Sequence, residues 1–278
     1  MEWSFEPGVI AWLLLAEGLY VRAVRILARR GVGVPRWQQA AWHTGVALQA
    51  IGLLSPIDTL GSDLLSAHMA QHLLIADLAA PLLLVGLRNP VLVFFLPRPV
   101  LVPLARQRGL RSAFRKLRQP LVAIPLYTLV LYGWHLAPLF EAAVRHPLVH
   151  ILQHASFIGV GMIVWWSVLE PKRRHPRGEL WKILHILSAR MLGMMLGMGF
   201  VFIRSPIYTG VYGSGERRGL APLADQQIAG ALMVTLDIMI MVFALSYFFW
   251  RAAQQHDLDE AARADVRAVG ATESARVN

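Results

Sequence analysis

Apolar residues gather along the chain into runs of about twenty, and charged residues fall mainly between these runs. A helix needs ~20 apolar residues to cross the hydrocarbon core of a bilayer. The pattern therefore predicts an all-α fold, a polytopic membrane helix bundle with seven transmembrane helices. The predicted spans cover residues 8–28, 38–55, 65–87, 120–140, 147–169, 181–204 and 226–250.

An eighth apolar stretch, residues 90–105, differs from these spans because it contains four prolines. Proline inside a helix removes a hydrogen bond and clashes with the preceding turn. We expect this stretch to form a half-helix or an interfacial segment within one transmembrane domain, residues 1–250. Residues 251–278 mix both signs of charge and predict a cytoplasmic tail that begins as a helix and becomes partly disordered near Gly270.

The basic residues predict the orientation of the spans. Arg29, Arg30 and Arg36 follow the first span, eight Arg and Lys residues lie between positions 88 and 118, and four lie between positions 172 and 177. Cytoplasmic loops carry an excess of Lys and Arg, so we expect the N-terminus outside and the C-terminus inside. Because topology explains the net charge of +10, we expect membrane lipid around the chain and no nucleic-acid partner.

Composition limits the class of protein and the kinds of metal site that the chain can form. Only 16% of the residues are charged, whereas a soluble domain has about 25%, which supports the membrane assignment. The chain has no cysteine, so disulfides and thiolate metal sites are excluded. We find no motif typical of an enzyme, and we expect a protein without catalytic residues.

Histidines form the most informative pattern. His68 and His72 are four residues apart in the third span, as are His150 and His154 in the fifth. Residues at this spacing share one face of a helix. The predicted orientation places both pairs in the outer half of the membrane, together with His135 and with Asp225 at the outer end of the seventh span. Ionisable residues inside a membrane are usually functional, so we predict one shared metal site formed by these groups. Its predicted ligands are His68, His72, His135, His150, His154 and Asp225.

Other polar residues have alternative explanations. His135 taken alone is equally compatible with a packing role, His146 and His175 are predicted at the surface, and His43 and His185 lie deeper, where Glu17 is a possible partner. Near the predicted midplane, Asp77, Arg190 and Asp237 are expected to form structural ion pairs, because an unpaired charge there costs about 3 kcal/mol or more.

The sixth span contains several methionines that suggest two hypotheses. Met191, Met195 and Met198 share a helix face and alternate with glycines. Such residues pack helices closely. Thioethers also bind Cu(I), so a metal relay toward the histidines is the alternative.

An all-histidine site with methionine nearby favours copper, most simply Cu(I), although zinc and haem iron also accept imidazole. A bis-histidine haem between His72 and His154 would make the protein a membrane electron carrier. That alternative explains the doubled histidines only if two haems stack.

Five segments together resemble the CtaG family of bacterial oxidase assembly factors, the type linked to caa-type cytochrome c oxidase in Bacillus. The likeness extends from about residue 40 to residue 250. It rests on SAHMAQHLL (66–74), AAPLLLVG (79–86), YGWHL (132–136), Val149-His150 with His154, and DQQIAG (225–230). The chain departs from the family at 231–234, where Met233 is kept but an expected tryptophan is not. A different protein that shares the CtaG name uses cysteine ligands, and this chain has none.

The resemblance implies a multi-pass protein of the bacterial cytoplasmic membrane that helps insert copper into a haem-copper oxidase. On this hypothesis the chain is a metallochaperone. It receives copper from an extracytoplasmic copper donor protein and passes it to an oxidase subunit. The same histidines also fit a copper transporter, in which the methionines of the sixth span would carry the metal inward.

Overall fold

The computed structural model describes residues 3–169 and 180–277, and it is helical through most of both segments. The helices are α1 (Pro7–Arg29), α2 (Arg36–Leu54), α3 (Pro56–Gly61), α4 (Leu65–His72), α5 (Ala79–Gly86), α6 (Val91–Phe95), α7 (Arg98–Arg106), α8 (Arg108–Leu117), α9 (Pro120–Trp134), α10 (Ala137–Arg145), α11 (Pro147–Leu169), α12 (Leu180–Phe202), α13 (Thr209–Tyr212) and α14 (Pro222–Val277). A π-helical turn, Leu73–Leu78, joins α4 to α5. The basic cluster at 172–177, with His175, lies outside the described residues.

Four helices are long and apolar enough to cross a membrane: Leu65–Gly86, α11, α12 and the first part of α14. The bent pair of α9 and α10 gives a fifth if it is counted as one span. The count of seven spans and the orientation stay predictions. The last helix continues to Val277, and the cytoplasmic location and partial disorder of the tail likewise stay predictions.

The predicted span 120–140 is not one straight helix. Helix α9 ends at Trp134, and α10 leaves it at an angle of 71°. The break is consistent with Pro138 near the start of α10, because proline has no N–H to donate to the carbonyl four residues earlier and its ring clashes with that carbonyl, here the one of Trp134. Leu136 is accordingly extended, with φ −66° and ψ 130°. As a result His135 stands at the C-terminal end of α9.

The proline-rich segment 90–105 is divided into α6 and α7, which have five and nine residues. Neither is long enough to cross a bilayer. Helix α6 lies against α1, where the Arg22 guanidinium donates a 3.1 Å hydrogen bond to the Phe94 carbonyl. The interfacial location of this segment remains a prediction.

The bundle is apolar on its surface and combines apolar with polar side chains inside. Leu121, Leu148 and Phe243 are among many large apolar side chains on the surface, as expected of helices that face lipid. Glutamine, histidine, arginine and aspartate side chains are buried between the helices. Helices α12 and α14 make an extensive contact, in which Gly197 and Gly230 face each other backbone to backbone. This close crossing fixes the wall opposite the histidines of α4 and α11.

Candidate metal site

Two pairs of histidines face each other between α4 and α11. The rings of His68 and His72 have centroids 4.4 Å apart, and those of His150 and His154 are 4.1 Å apart. Across the helix interface, His68 lies 5.3 Å from His150, and His72 lies 5.2 Å from His154. We call these four residues the histidine cluster. The i,i+4 spacing explains each pair, and the packing of α11 against the π-helical turn and α5, which continue from α4, brings the pairs together.

The cluster is buried, and each of its rings has at least one nitrogen without a partner among the described residues. His68, His72 and His154 are exposed by 1%, 6% and 8%. The Nε2 atoms of all four rings, and Nδ1 of His72, have no hydrogen-bond partner in the described part of the chain. Burying a polar group without a partner costs free energy. Such a concentration of unpaired nitrogens in one place is a common sign of a binding site.

The nitrogens do not yet converge. Within residues 3–169 and 180–277, no three His, Cys, Asp or Glu side chains are placed to hold a metal ion as they stand. The histidine χ2 torsion is broad and roughly two-fold, so ring rotation can redirect a nitrogen without moving a helix. The four imidazoles are therefore adjacent donors whose rings have to rotate before their nitrogens can bind one ion.

Two aromatic rings form part of the wall. Phe140 lies 4.9 Å from His68, and Phe157 lies 4.6 Å from His72, measured between ring centroids. Gln153, fully buried in α11 beside His154, has no amide partner among the described residues. The sequence analysis did not identify Gln153 as part of the site. The one indication in the sequence was a polar amide inside an apolar run.

His135 is separate from the cluster. Its ring packs near Phe140, Phe157 and Phe200. Its Nδ1 contacts the Leu131 carbonyl at 2.7 Å, and its Nε2 lies 3.4 Å from the sulfur of Met69. The structure thus brings four of the six predicted ligands together and gives His135 a different set of neighbours.

Asp225 has a structural role. Its carboxylate accepts hydrogen bonds from the backbone N–H groups of Leu65 at 2.6 Å and Ser66 at 3.1 Å. It therefore caps the N-terminus of α4, the helix that carries His68 and His72. Since both oxygens are engaged by the backbone, we do not retain Asp225 as a ligand.

Replacing Asp225 with alanine is expected to lower the free energy of unfolding by about 1–2 kcal/mol, because two N–H groups at a buried helix end lose their acceptor. Thermal unfolding of the detergent-purified protein measures this effect. Asp225→Asn, which keeps one acceptor oxygen, should lie between the wild type and Asp225→Ala. Equal stability of all three proteins would contradict the capping role.

The segment before α14 covers this end of the bundle. The Tyr208 hydroxyl donates to the His135 carbonyl at 2.7 Å, and the Tyr212 hydroxyl donates to the Gly61 carbonyl at 3.0 Å. Burial raises the pKa of both phenols, which keeps them protonated as donors. Gln226 accepts from the backbone of Ile207 at 2.9 Å. These bonds hold the segment against the ends of α9 and α3.

The predicted midplane charges form one group, which we call the ion triad: Asp77, Arg190 and Asp237. The Arg190 guanidinium contacts Asp77 and lies 3.0 Å from Asp237. It also donates to the Tyr127 hydroxyl at 3.2 Å. Arg190 is only 1% exposed. The expectation was pairing with either aspartate, and the structure pairs Arg190 with both.

A cavity of about 30 Å³ connects the ion triad to the histidines. Its lining includes His72, Met69, His135, Asp77 and Asp237. His72 and Asp77 are five residues apart, which places them about 140° apart on an α-helix. The π-helical turn between them has i→i+5 hydrogen bonds, and this wider turn allows both residues to line one cavity.

The relay hypothesis is not supported by the positions of its methionines. Met191, Met195 and Met198 are exposed by 38%, 61% and 38%. The opposite face of α12 carries Gly193 and Gly197 and packs against α14, so the methionines point outward. We correct the proposed relay accordingly.

Each of the deeper histidines has a partner for one ring nitrogen. His43 lies 2.9 Å from Glu17, as the sequence suggested, and Trp42 also donates to Glu17 at 3.0 Å. His185 does not reach that carboxylate, because its Nε2 contacts the Val164 carbonyl at 3.2 Å.

Comparisons with known proteins identify the family of this chain. A family model described as cytochrome c oxidase caa3 assembly factor matches residues 18–255. Uncharacterized proteins of Mycobacterium bovis and Mycobacterium tuberculosis are 26% identical over 260 residues, and one of Mycobacterium leprae is 27% identical over 259 residues. Each comparison covers 87% of this chain and 38% of the relative. The chain therefore spans less than half the length of the curated relatives it matches. No solved structure matches.

Proposed function

Because the chain belongs to the family of cytochrome c oxidase caa3 assembly factors, we propose that it binds Cu(I) at the histidine cluster and delivers it to a haem-copper oxidase subunit. The observation that carries this proposal is the meeting of His68 and His72 with His150 and His154, whose ring nitrogens lack partners in the described structure. Neutral imidazoles in a site without thiolate or free carboxylate suit a soft, low-charge cation.

The surroundings of the cluster fit temporary storage of a metal. The rings need only rotate to converge, so binding and release require no large helix movement. His150 lies at the edge of the cluster and is the least buried of the four rings. We propose this edge as the entry for copper from an extracytoplasmic donor protein. We also propose that the cluster lies within the membrane layer, where an oxidase subunit can approach laterally.

Haem fits this geometry less well. A porphyrin held by His72 and His154 has to lie between two rings that are now 5.2 Å apart. The cavity beside His72 is about 30 Å³, which holds about one water molecule. We therefore expect no Soret band in the purified protein.

Copper titration tests the proposal. We expect a His68→Ala/His154→Ala variant, which removes one imidazole from each pair, to bind at least one equivalent less Cu(I) than the wild type in detergent. His146→Ala is the matched control, because His146 is exposed one turn before His150. Competition with a chromophoric Cu(I) chelator measures the difference. Equal copper content in the double variant and the control would reject the site.

The same variants test delivery in cells. If the chain supplies copper to an oxidase, membranes from cells carrying the double variant should lose cytochrome c oxidase activity, whereas the control should retain it. Recovery of activity on adding copper to the medium would indicate that the defect lies in metal supply. Retained activity in the double variant without added copper would contradict the assembly role of the cluster.

A further inference from the structure

Met69 and His135 make a close contact between two groups that cannot hydrogen-bond to each other when the ring is neutral with its proton on Nδ1. The Nδ1 of His135 lies 2.7 Å from the Leu131 carbonyl. A carbonyl only accepts hydrogen bonds, so Nδ1 carries the proton. In the neutral ring, Nε2 then presents a lone pair, and it faces the thioether sulfur of Met69 at 3.4 Å. Two acceptors therefore face each other without a hydrogen between them.

A doubly protonated His135 would remove this conflict, but the surroundings do not favour a positive ring. His135 and Met69 are 8% and 1% exposed. The aspartates that line the same cavity, Asp77 and Asp237, are both paired with Arg190. A buried imidazolium without its own carboxylate carries a large desolvation cost.

A cation between the two atoms would satisfy both. Bonds of about 2.0 Å to imidazole nitrogen and 2.3 Å to sulfur, lengths known from zinc sites, give an angle of about 105° for this separation. That angle is close to tetrahedral and leaves room for a further ligand. His72 lines the same cavity, and both of its ring nitrogens are unpartnered in the described structure.

The donor set favours a soft ion of low charge. Thioether sulfur and imidazole nitrogen select Cu(I) among the biological ions of this kind.

We propose that Met69, His135 and His72 form a second Cu(I) site, deeper than the histidine cluster and connected to it through His72. This site depends on the proposed function only for its supply of copper. It implies that the metal moves inward by one step, from an all-nitrogen site to a site that contains sulfur.

Met69→Leu is the main test, because leucine keeps the size and apolar character of the side chain but has no sulfur. His135→Asn is the second variant, since an asparagine amide can replace Nδ1 in the hydrogen bond to Leu131 while removing Nε2. His150→Ala/His154→Ala is the third, because it removes half of the histidine cluster and leaves the deeper site intact. Each full-length variant is purified in detergent, checked for its thermal transition and loaded with Cu(I) alone.

X-ray absorption at the copper edge gives the readout. We expect a sulfur shell at about 2.3 Å in the loaded wild type and its complete loss in Met69→Leu. Both Met69→Leu and His135→Asn should bind one equivalent less Cu(I), whereas His150→Ala/His154→Ala should keep the sulfur shell.

The outcomes separate this proposal from the previous one. No sulfur shell in the wild type, or an unchanged shell in Met69→Leu, would overturn the deeper site and leave the histidine cluster untouched. A normal sulfur shell together with unchanged copper content in His68→Ala/His154→Ala would have the opposite meaning, because the deeper site would then stand without the cluster.

Discussion

An Arg190→Met variant is expected to lose about 3–5 kcal/mol of stability, because removing one partner of a buried ion pair leaves its opposite charge uncompensated. Here the loss affects two carboxylates, Asp77 and Asp237, which both contact the Arg190 guanidinium. A loss of this size is a large fraction of the free energy of unfolding of a typical domain, which is about 5–15 kcal/mol. We expect little monodisperse protein after detergent extraction, as measured by gel filtration.

A compensated variant shows whether charge is the cause. Asp77→Asn/Arg190→Met/Asp237→Asn removes all three charges, and neutral replacement of a buried ionic group is often tolerated. It should recover most of the folded protein that Arg190→Met loses. Arg145→Met serves as a control, because Arg145 pairs with Glu141 on the surface, where such a pair contributes at most about 1 kcal/mol. Failure of the triple variant to recover would indicate that Arg190 acts through packing rather than charge.

A Gly230→Leu variant should separate α12 from α14. A Cβ atom on Gly230 would lie 2.5 Å from the Gly197 carbonyl oxygen and 2.8 Å from the Phe200 Cβ. These neighbours are backbone and Cβ atoms, which cannot move aside by rotating a side chain. Overpacking costs about 1–3 kcal/mol or more, and here it also disturbs the helix that carries Arg190. We expect a clear fall in the midpoint of thermal unfolding.

Gly199→Leu is the matched control for this crossing. Gly199 lies two residues after Gly197 on α12, and none of the described residues has an atom within 4 Å of its would-be Cβ. Its substitution should leave the thermal midpoint nearly unchanged. Similar destabilisation by both variants would show that glycine is needed for the helix itself rather than for the close approach.

The histidine cluster was accessible from sequence because helical spacing determines which residues share a face. His68 with His72, and His150 with His154, needed only the four-residue period. Their meeting across α4 and α11 required the helices to be rotated toward each other, and spacing within one helix has no information about that rotation. The same limit applies to the methionines of α12. Their spacing showed that they share a face, but not that this face points outward.

Other features depend on contacts that are distant in sequence. Asp225 caps α4 although 160 residues separate it from Leu65. The sequence therefore indicated a buried carboxylate near the site but not its partner. Pro138 was visible, yet the 71° angle between α9 and α10 depends on how α10 packs. Met69 escaped notice because a methionine between two histidines in an apolar segment usually only fills space.

The wide turn at Leu73–Leu78 makes chain length a determinant of function in this span. Substituting one apolar residue there for another preserves the backbone path. Deleting one residue would let the turn close into a regular α-helix, in which His72 and Asp77 would be four positions apart and share a face. Inserting a residue should therefore do more damage than deleting one, since it would turn everything before it by about 100° relative to everything after it.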